Sequence, residues 1–309
     1  MRPLVAALVA CSLALLAAAC GGGDDDSDAN PNTLLGEAAA KKIESAEVRL
    51  RMDADVPGFP ILGSKISIVG SGPFVANGPD ALPEFDWNVT LRAGGQTFPA
   101  RVNGLDGNVY VEFMGQFYEA DPKMLERLGL EKSSGGPKAT SLKELGLDPD
   151  EWLTRVEVSD GEDIGGDSTR VVTGTVVERE VLENLLSIVD LDALTAAAGQ
   201  EGEGLPDLEG ENGDEIVDAI DSAKVEVNVD DEGYPRRVYA KLRFTMPKSV
   251  KDTAIESGTV TFDLTLEEVG GVTVDAAPPF DPKPLSSLLD FVQTIFGIDE
   301  PSDLWRKPN

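Results

Sequence analysis

Ala46-Glu47-Val48-Arg49-Leu50-Arg51-Met52-Asp53-Ala54-Asp55-Val56 alternates apolar and polar residues without a break. Successive side chains of an extended chain point to opposite faces, so this stretch predicts a β-strand with one dry face and one wet face. The same period of two returns in Phe85, Trp87, Val89 and Leu91, in Phe98, Ala100 and Val102, and in Val109, Val111 and Phe113. Late in the chain it appears as Val225, Val227 and Val229, as Val238, Ala240, Leu242 and Phe244, and as Val260, Phe262, Leu264 and Leu266. Weaker strands fit residues 66–75, 116–120, 156–159, 169–177 and 272–276, making about a dozen in all. Short turn signals separate them: Ala93-Gly94-Gly95-Gln96, Leu105-Asp106-Gly107-Asn108, and Asp230-Asp231-Glu232-Gly233-Tyr234-Pro235. One-faced strands joined by tight turns predict an antiparallel sheet with one face in water.

Helices are fewer. Residues 34–45 carry Leu35, Ala38, Ala39, Lys42 and Ile43 at helical spacing, and residues 122–128 form a short candidate. Ser141-Leu142-Lys143-Glu144 has the form of a capping box. Asp148-Pro149 reads as N-cap and first helical residue ahead of Trp152 and Leu153. Residues 178–189 place Val181, Leu182, Leu185, Leu186 and Val189 on one face, and residues 214–222 suit a further short helix. The Gly- and Glu-rich stretch 196–213 is expected to be an insertion. Beyond the last strand, Leu285, Leu288, Leu289, Val292, Ile295 and Phe296 keep the spacing of an amphipathic helix. No repeat or linker interrupts residues 34–276, so one domain is expected there.

The first residues point to export. Arg2 precedes the apolar run Leu4 to Ala19, which ends in Ala17-Ala18-Ala19, small residues of the kind a signal peptidase accepts. Cys20 follows at once, the pattern of a lipobox, in which the thiol is acylated and the chain is cut just before it. The run is shorter than the roughly 20 residues of a membrane span, and acid follows it. The stretch from Gly21 to Asn32 is small, polar and acidic, and is expected to be a flexible tether. Residues 1–19 are therefore read as signal peptide, 20–33 as lipidated cysteine and tether, 34–278 as the folded domain, and 279–309 as C-terminal helix and tail. The expected location is the extracytoplasmic face of the cell membrane, held through Cys20.

The chain has two cysteines. Cys11 leaves with the leader and Cys20 is modified, so the folded domain has no thiol to form a disulfide. The formal net charge is −30, which repels nucleic acid and anionic head groups. No nucleic-acid partner is expected, and an acyl anchor rather than charge must hold the protein at the membrane. There is no histidine. That removes Ser-His-Asp and Cys-His nucleophiles and most zinc sites. Ser-x-x-Lys, Gly-x-Ser-x-Gly and Walker motifs are absent. The acidic run Asp207 to Glu215 has Asn212 where a twelve-residue calcium loop needs glycine. No enzyme activity, cofactor or metal is expected.

Three segments carry a resemblance. They are residues 156–174, with Val156-Glu157-Val158-Ser159 and Ile164-Gly165-Gly166-Asp167-Ser168-Thr169-Arg170; residues 227–238, with an acidic turn closed by Pro235-Arg236; and the strand 258–268 followed by 271–278. Together with the expected acylated cysteine and tether, they resemble the LppX/LprG family of actinobacterial lipoproteins. The resemblance implies an α+β fold: a strongly curved antiparallel β-sheet, a half-barrel, with several short helices across its concave face, as in the carriers LolA and LolB. It also implies an apolar cavity between sheet and helices. Leu50, Met52, Trp87, Phe113, Leu242, Phe244, Phe262 and Leu264 are the cavity-lining candidates. The implied partners are an acyl lipid or lipoglycan, carried or chaperoned across the envelope, and an envelope transporter. The alternative is a surface lipoprotein that binds a non-lipid partner in signalling or wall assembly and has no lipid cavity.

Overall fold

A computed structural model describes residues 31–57, 64–77, 81–121, 141–188, 217–246 and 256–288. The strands are β1 (Ser45–Asp55), β2 (Lys65–Val75), β3 (Glu84–Ala93), β4 (Gln96–Leu105), β5 (Asn108–Phe113), β6 (Gln116–Glu119), β7 (Leu153–Asp160), β8 (Thr169–Val176), β9 (Ile220–Asp230), β10 (Pro235–Thr245), β11 (Ser257–Glu267) and β12 (Lys283–Pro284). They form one sheet in the order β12-β6-β5-β4-β3-β2-β1-β11-β10-β9-β8-β7. The sheet is open and curved, and the fold class is the expected half-barrel. All pairings are antiparallel except β12 with β6. Two meanders meet at the centre, where β1 pairs with β11 and sets Leu50 opposite Leu264 and Met52 opposite Phe262.

The period of two becomes a continuous apolar row. Outward from Leu50, the successive partners are Gly70, Val89, Ala100 and Phe113 on one side. On the other side they are Leu264, Val238, Val227, Val172 and Val158. Directly opposed residues share a face, so one face is apolar across ten strands. The residues between them make the other face polar. Ion pairs line it, among them Arg49 with Glu267 at 3.0 Å and Arg237 with Asp263 at 2.7 Å.

The helices among the described residues include α1 (Pro31–Ala40), α2 (Pro149–Trp152) and α3 (Glu178–Ile188). They pack on one another, and α1 and α2 reach β7 and β9. Leu35, Trp152 and Val181 are buried with Val172, Val227, Val229 and Val238 in the main core. Asn184 ties the helices together, its Oδ1 accepting from Trp152 Nε1 at 2.8 Å and from the Asp148 backbone N–H at 3.0 Å.

The acidic turn of the resemblance is a structural knot. Asp230 accepts backbone N–H bonds from Glu232 at 3.0 Å and Tyr234 at 2.8 Å, and Arg236 Nε at 2.5 Å. Arg236 also reaches Asp167 at 2.8 Å. Gly233, at φ 83, supplies the left-handed step of the turn.

Several local expectations change. α1 runs Pro31–Ala40 rather than 34–45, because the chain must leave the helix to enter β1 at Ser45. Ser141 caps as expected, accepting the Glu144 backbone N–H at 3.3 Å. The segment 141–146 nevertheless stays a set of turns ending at Gly146, φ 81. Asp148 precedes α2 without a side-chain cap bond. Residues 272–276 form no strand. β11 already has β1 and β10 on its two edges, so no ladder is free, and the segment is held by Gly270 and Val272 N–H bonds to Ser45. In 214–222 the described part is helical only at 217–218, because β9 begins at Ile220. The leader with Cys20, the helix expected at 122–128, the insertion 196–213 and the residues after 288 lie outside the described residues.

Asp148 and Asp150 share one cation. Lys143 Nζ lies 2.5 Å from Asp148 and 3.9 Å from Asp150. A hydrogen bond with Asp148, then burial, then the Asp148 charge push the Asp150 carboxyl up to about 6. An acid raised in the folded state favours folding at low pH, and that contribution fades as pH rises through the raised value. Asp150→Asn is therefore expected to raise the melting temperature at about pH 7.5 and to leave it nearly unchanged at about pH 4. An equal shift at both pH values would contradict this linkage.

Candidate functional site: a half-covered apolar face

Among the described residues, the helices cover only part of the apolar face. Where β1 and β8–β11 lie beneath them, Val172, Val227, Ala240 and Phe262 are at most 2% exposed. On β2–β5 the equivalent positions Trp87, Val89, Leu91, Ala100, Val102 and Val111 are half-buried. The apolar row is the same on both sides; the cover differs.

Aromatic rings laid over glycines form the floor of the half-buried region. Phe85 lies across Gly104, where an added Cβ would come 2.3 Å from its ring. Trp87 lies beside Gly70, where an added Cβ would meet the indole at 3.8 Å. The indole N–H donates to Pro73 O at 3.1 Å, so the polar edge is satisfied and the apolar ring remains. The two ring centroids are 5.6 Å apart at an interplanar angle of 54°. Gly70 contributes no side chain to the row, and Trp87 and Val89 pack over it instead, each 3.8 Å from where a Cβ would stand.

At the far edge a second small cluster forms. Leu285 and Leu288 are buried with Leu82 and Ala120, and Val109, Val111, Phe113 and Tyr118 pack against them. Residues 285–288 are helical, directly after the two-residue strand β12. This is where the described part of the C-terminal stripe docks. Burying two leucines contributes roughly 1.5–3 kcal/mol each before the cost of ordering the segment. Phe280, just ahead of it, is 98% exposed, and Met114 at the β5–β6 turn is 80% exposed.

The eight lining candidates separate into different settings. Leu242, Phe262 and Leu264 lie in the covered core. Leu50, Met52 and Trp87 are half-buried at its margin, and Phe113 belongs to the edge cluster. Phe244 is half-buried, with its ring across Gly258. Phe85, Val89, Leu91, Ala100, Val102, Val109 and Val111 complete the half-buried face and were not singled out as lining. Their signal was the same alternation, in the strands that have no helix between them.

No titratable side chain stands in the apolar row. The polar face has a hollow lined in part by Arg51, Asp53, Asp55, Lys65, Ser67 and Arg92. Its charges pair locally, Arg51 with Asp53 at 2.5 Å and Lys65 with Asp55 at 3.3 Å.

No family model matches the chain, and no curated protein matches it. Among solved structures it is similar to the Mycobacterium tuberculosis lipoprotein LppX, at 16% identity over 79% of this chain and 98% of that one, with a TM-score of 0.37. It is similar to LprF from Mycobacterium bovis at 12% identity, over 81% of this chain and 97% of that one, with a TM-score of 0.35. A LolA superfamily protein from Nitrosomonas europaea follows at 10% identity, covering 78% and 95%, with a TM-score of 0.20. These names belong to the group that the sequence resembles. At so low a backbone overlap they carry no part of the reading of the site.

Proposed function

We propose that the chain is a membrane-anchored lipoprotein that binds an acylated lipid or lipoglycan on the half-covered apolar face and carries it within the cell envelope. The observation that carries this reading is the single apolar row across ten strands, sealed over β8–β11 and half-buried over β2–β5. A row of apolar side chains with no ionisable group among them offers burial to methylenes. Each buried methylene contributes about 0.8 kcal/mol, so a long acyl chain gains much from such a face. Cys20 is the proposed anchor. Acylation with two chains holds stably where one does not.

The described elements begin at Pro31, so the chain from Gly21 onward retains them all. Expressed without leader or Cys20, it is expected to partition into the aqueous phase, whereas the full-length chain enters the detergent phase. Native mass spectrometry of the soluble chain, purified without detergent, is expected to show co-purified acyl lipid. A folded chain free of lipid that also takes up none would defeat the carrier reading. Exposed Met114 and Phe280 would then favour the second reading, a non-lipid protein partner at that edge.

A further inference from the structure

We infer that the surface of Val109, Val111, Phe113 and Tyr118 is an acyl-chain subsite, and that the C-terminal segment 283–288 occupies it as an internal stand-in for the ligand. This rests on the acyl-lipid reading and assigns it a place and a gate.

Four observations point the same way. The subsite continues the row of the proposed lipid face, since Phe113 is the partner of Ala100, itself the partner of Val89. Its cover is not part of the main core: Leu285 and Leu288 form a separate cluster with Leu82 and Ala120. The cover is weakly joined, by one parallel pairing of two residues, Lys283 with Tyr118 and Pro284 with Glu119. Both of its strand residues are exposed, and so is Phe280 before them. Two leucine side chains present to the sheet what an acyl chain would present, a run of apolar carbon with no polar group. A lipid that displaces them exchanges like for like, while a backbone ladder of many residues would not yield.

The test uses the chain from Gly21 onward, which has no cysteine. Pro284→Cys with Glu119→Cys places one thiol on each partner of the β12–β6 pair, outside the four side chains of the subsite. Paired strands lie at the separation a disulfide spans. A fluorescent long-chain fatty acid is the probe. With the thiols reduced, uptake is expected to match that of the parent chain; with the disulfide closed, it is expected to fall at least tenfold and to recover on reduction. Leu288→Ser, a second variant without a crosslink, is expected to speed probe entry and release several-fold. Equal uptake in both redox states, with the bond confirmed by mass, would overturn the subsite and leave lipid binding elsewhere on the face intact. No uptake in the parent chain would overturn both this inference and the carrier reading.

Discussion

Phe262→Ala is expected to lower the unfolding free energy by about 3–5 kcal/mol, the usual range for emptying a large aromatic site in a core. Phe262 is 2% exposed and stands in β11 between Met52 of β1 and Ala240 of β10. This is the joint between the two meanders, so a void there weakens the contact on which the whole sheet order depends. Its neighbours are fixed in ladders and cannot collapse far into the space. A domain with a net stability of about 5–15 kcal/mol loses a large fraction of it by such a change. Urea unfolding followed by fluorescence gives the measurement: the midpoint falls while the slope stays the same. A loss under about 1 kcal/mol would show that the covered half is not the structural core.

Val89→Arg is expected to do the reverse. Val89 lies in the same apolar row, two strands from Leu50 of β1 through Gly70 of β2, but it is half-buried. An arginine there extends its stem over the floor and turns its guanidinium toward water, so stability should change by no more than about 1 kcal/mol. A charge in a site built for methylenes must be desolvated when the ligand enters. Uptake of a fluorescent acyl lipid is therefore expected to fall by about tenfold or more, a change equivalent to about 1.4 kcal/mol per factor of ten. Unchanged uptake would place the ligand away from β2–β5. Together the two variants separate core from site on one face.

The strands were legible because period two is a local property. Val48, Leu50 and Met52 declare a face whatever they pair with, and β1, β5, β10 and β11 fall where the alternation lies. The exclusions from the missing histidine were equally local. Long-range facts were not. That β1 pairs with β11, and that α1, α2 and α3 gather over β7 to β11, depends on contacts between residues far apart in the chain. Hence the lining candidates favoured large apolar residues such as Leu242 and Phe262, since size suits a core and a site alike. What separates Phe262 from Val89 is the cover above each, which no spacing encodes. Residues 272–276 misled for a related reason: an alternating stretch becomes a strand only where an edge is free. β12 was invisible because two residues, Lys283 and Pro284, carry no periodicity.

The most direct test of an acyl chain on the open half of the face is quenching of Trp87 by a fatty acid brominated along its chain. Bromine quenches an indole only near contact, and Trp87 lies on the floor while Trp152, at the end of α2, is fully buried. The account predicts saturable quenching in the chain from Gly21 onward carrying Trp305→Phe, which leaves Trp87 and Trp152 as its tryptophans; quenching is deepest for bromine at one region of the acyl chain and is lost when Trp87→Phe is added while lipid still binds. Saturable binding with quenching that survives unchanged in Trp87→Phe would contradict it.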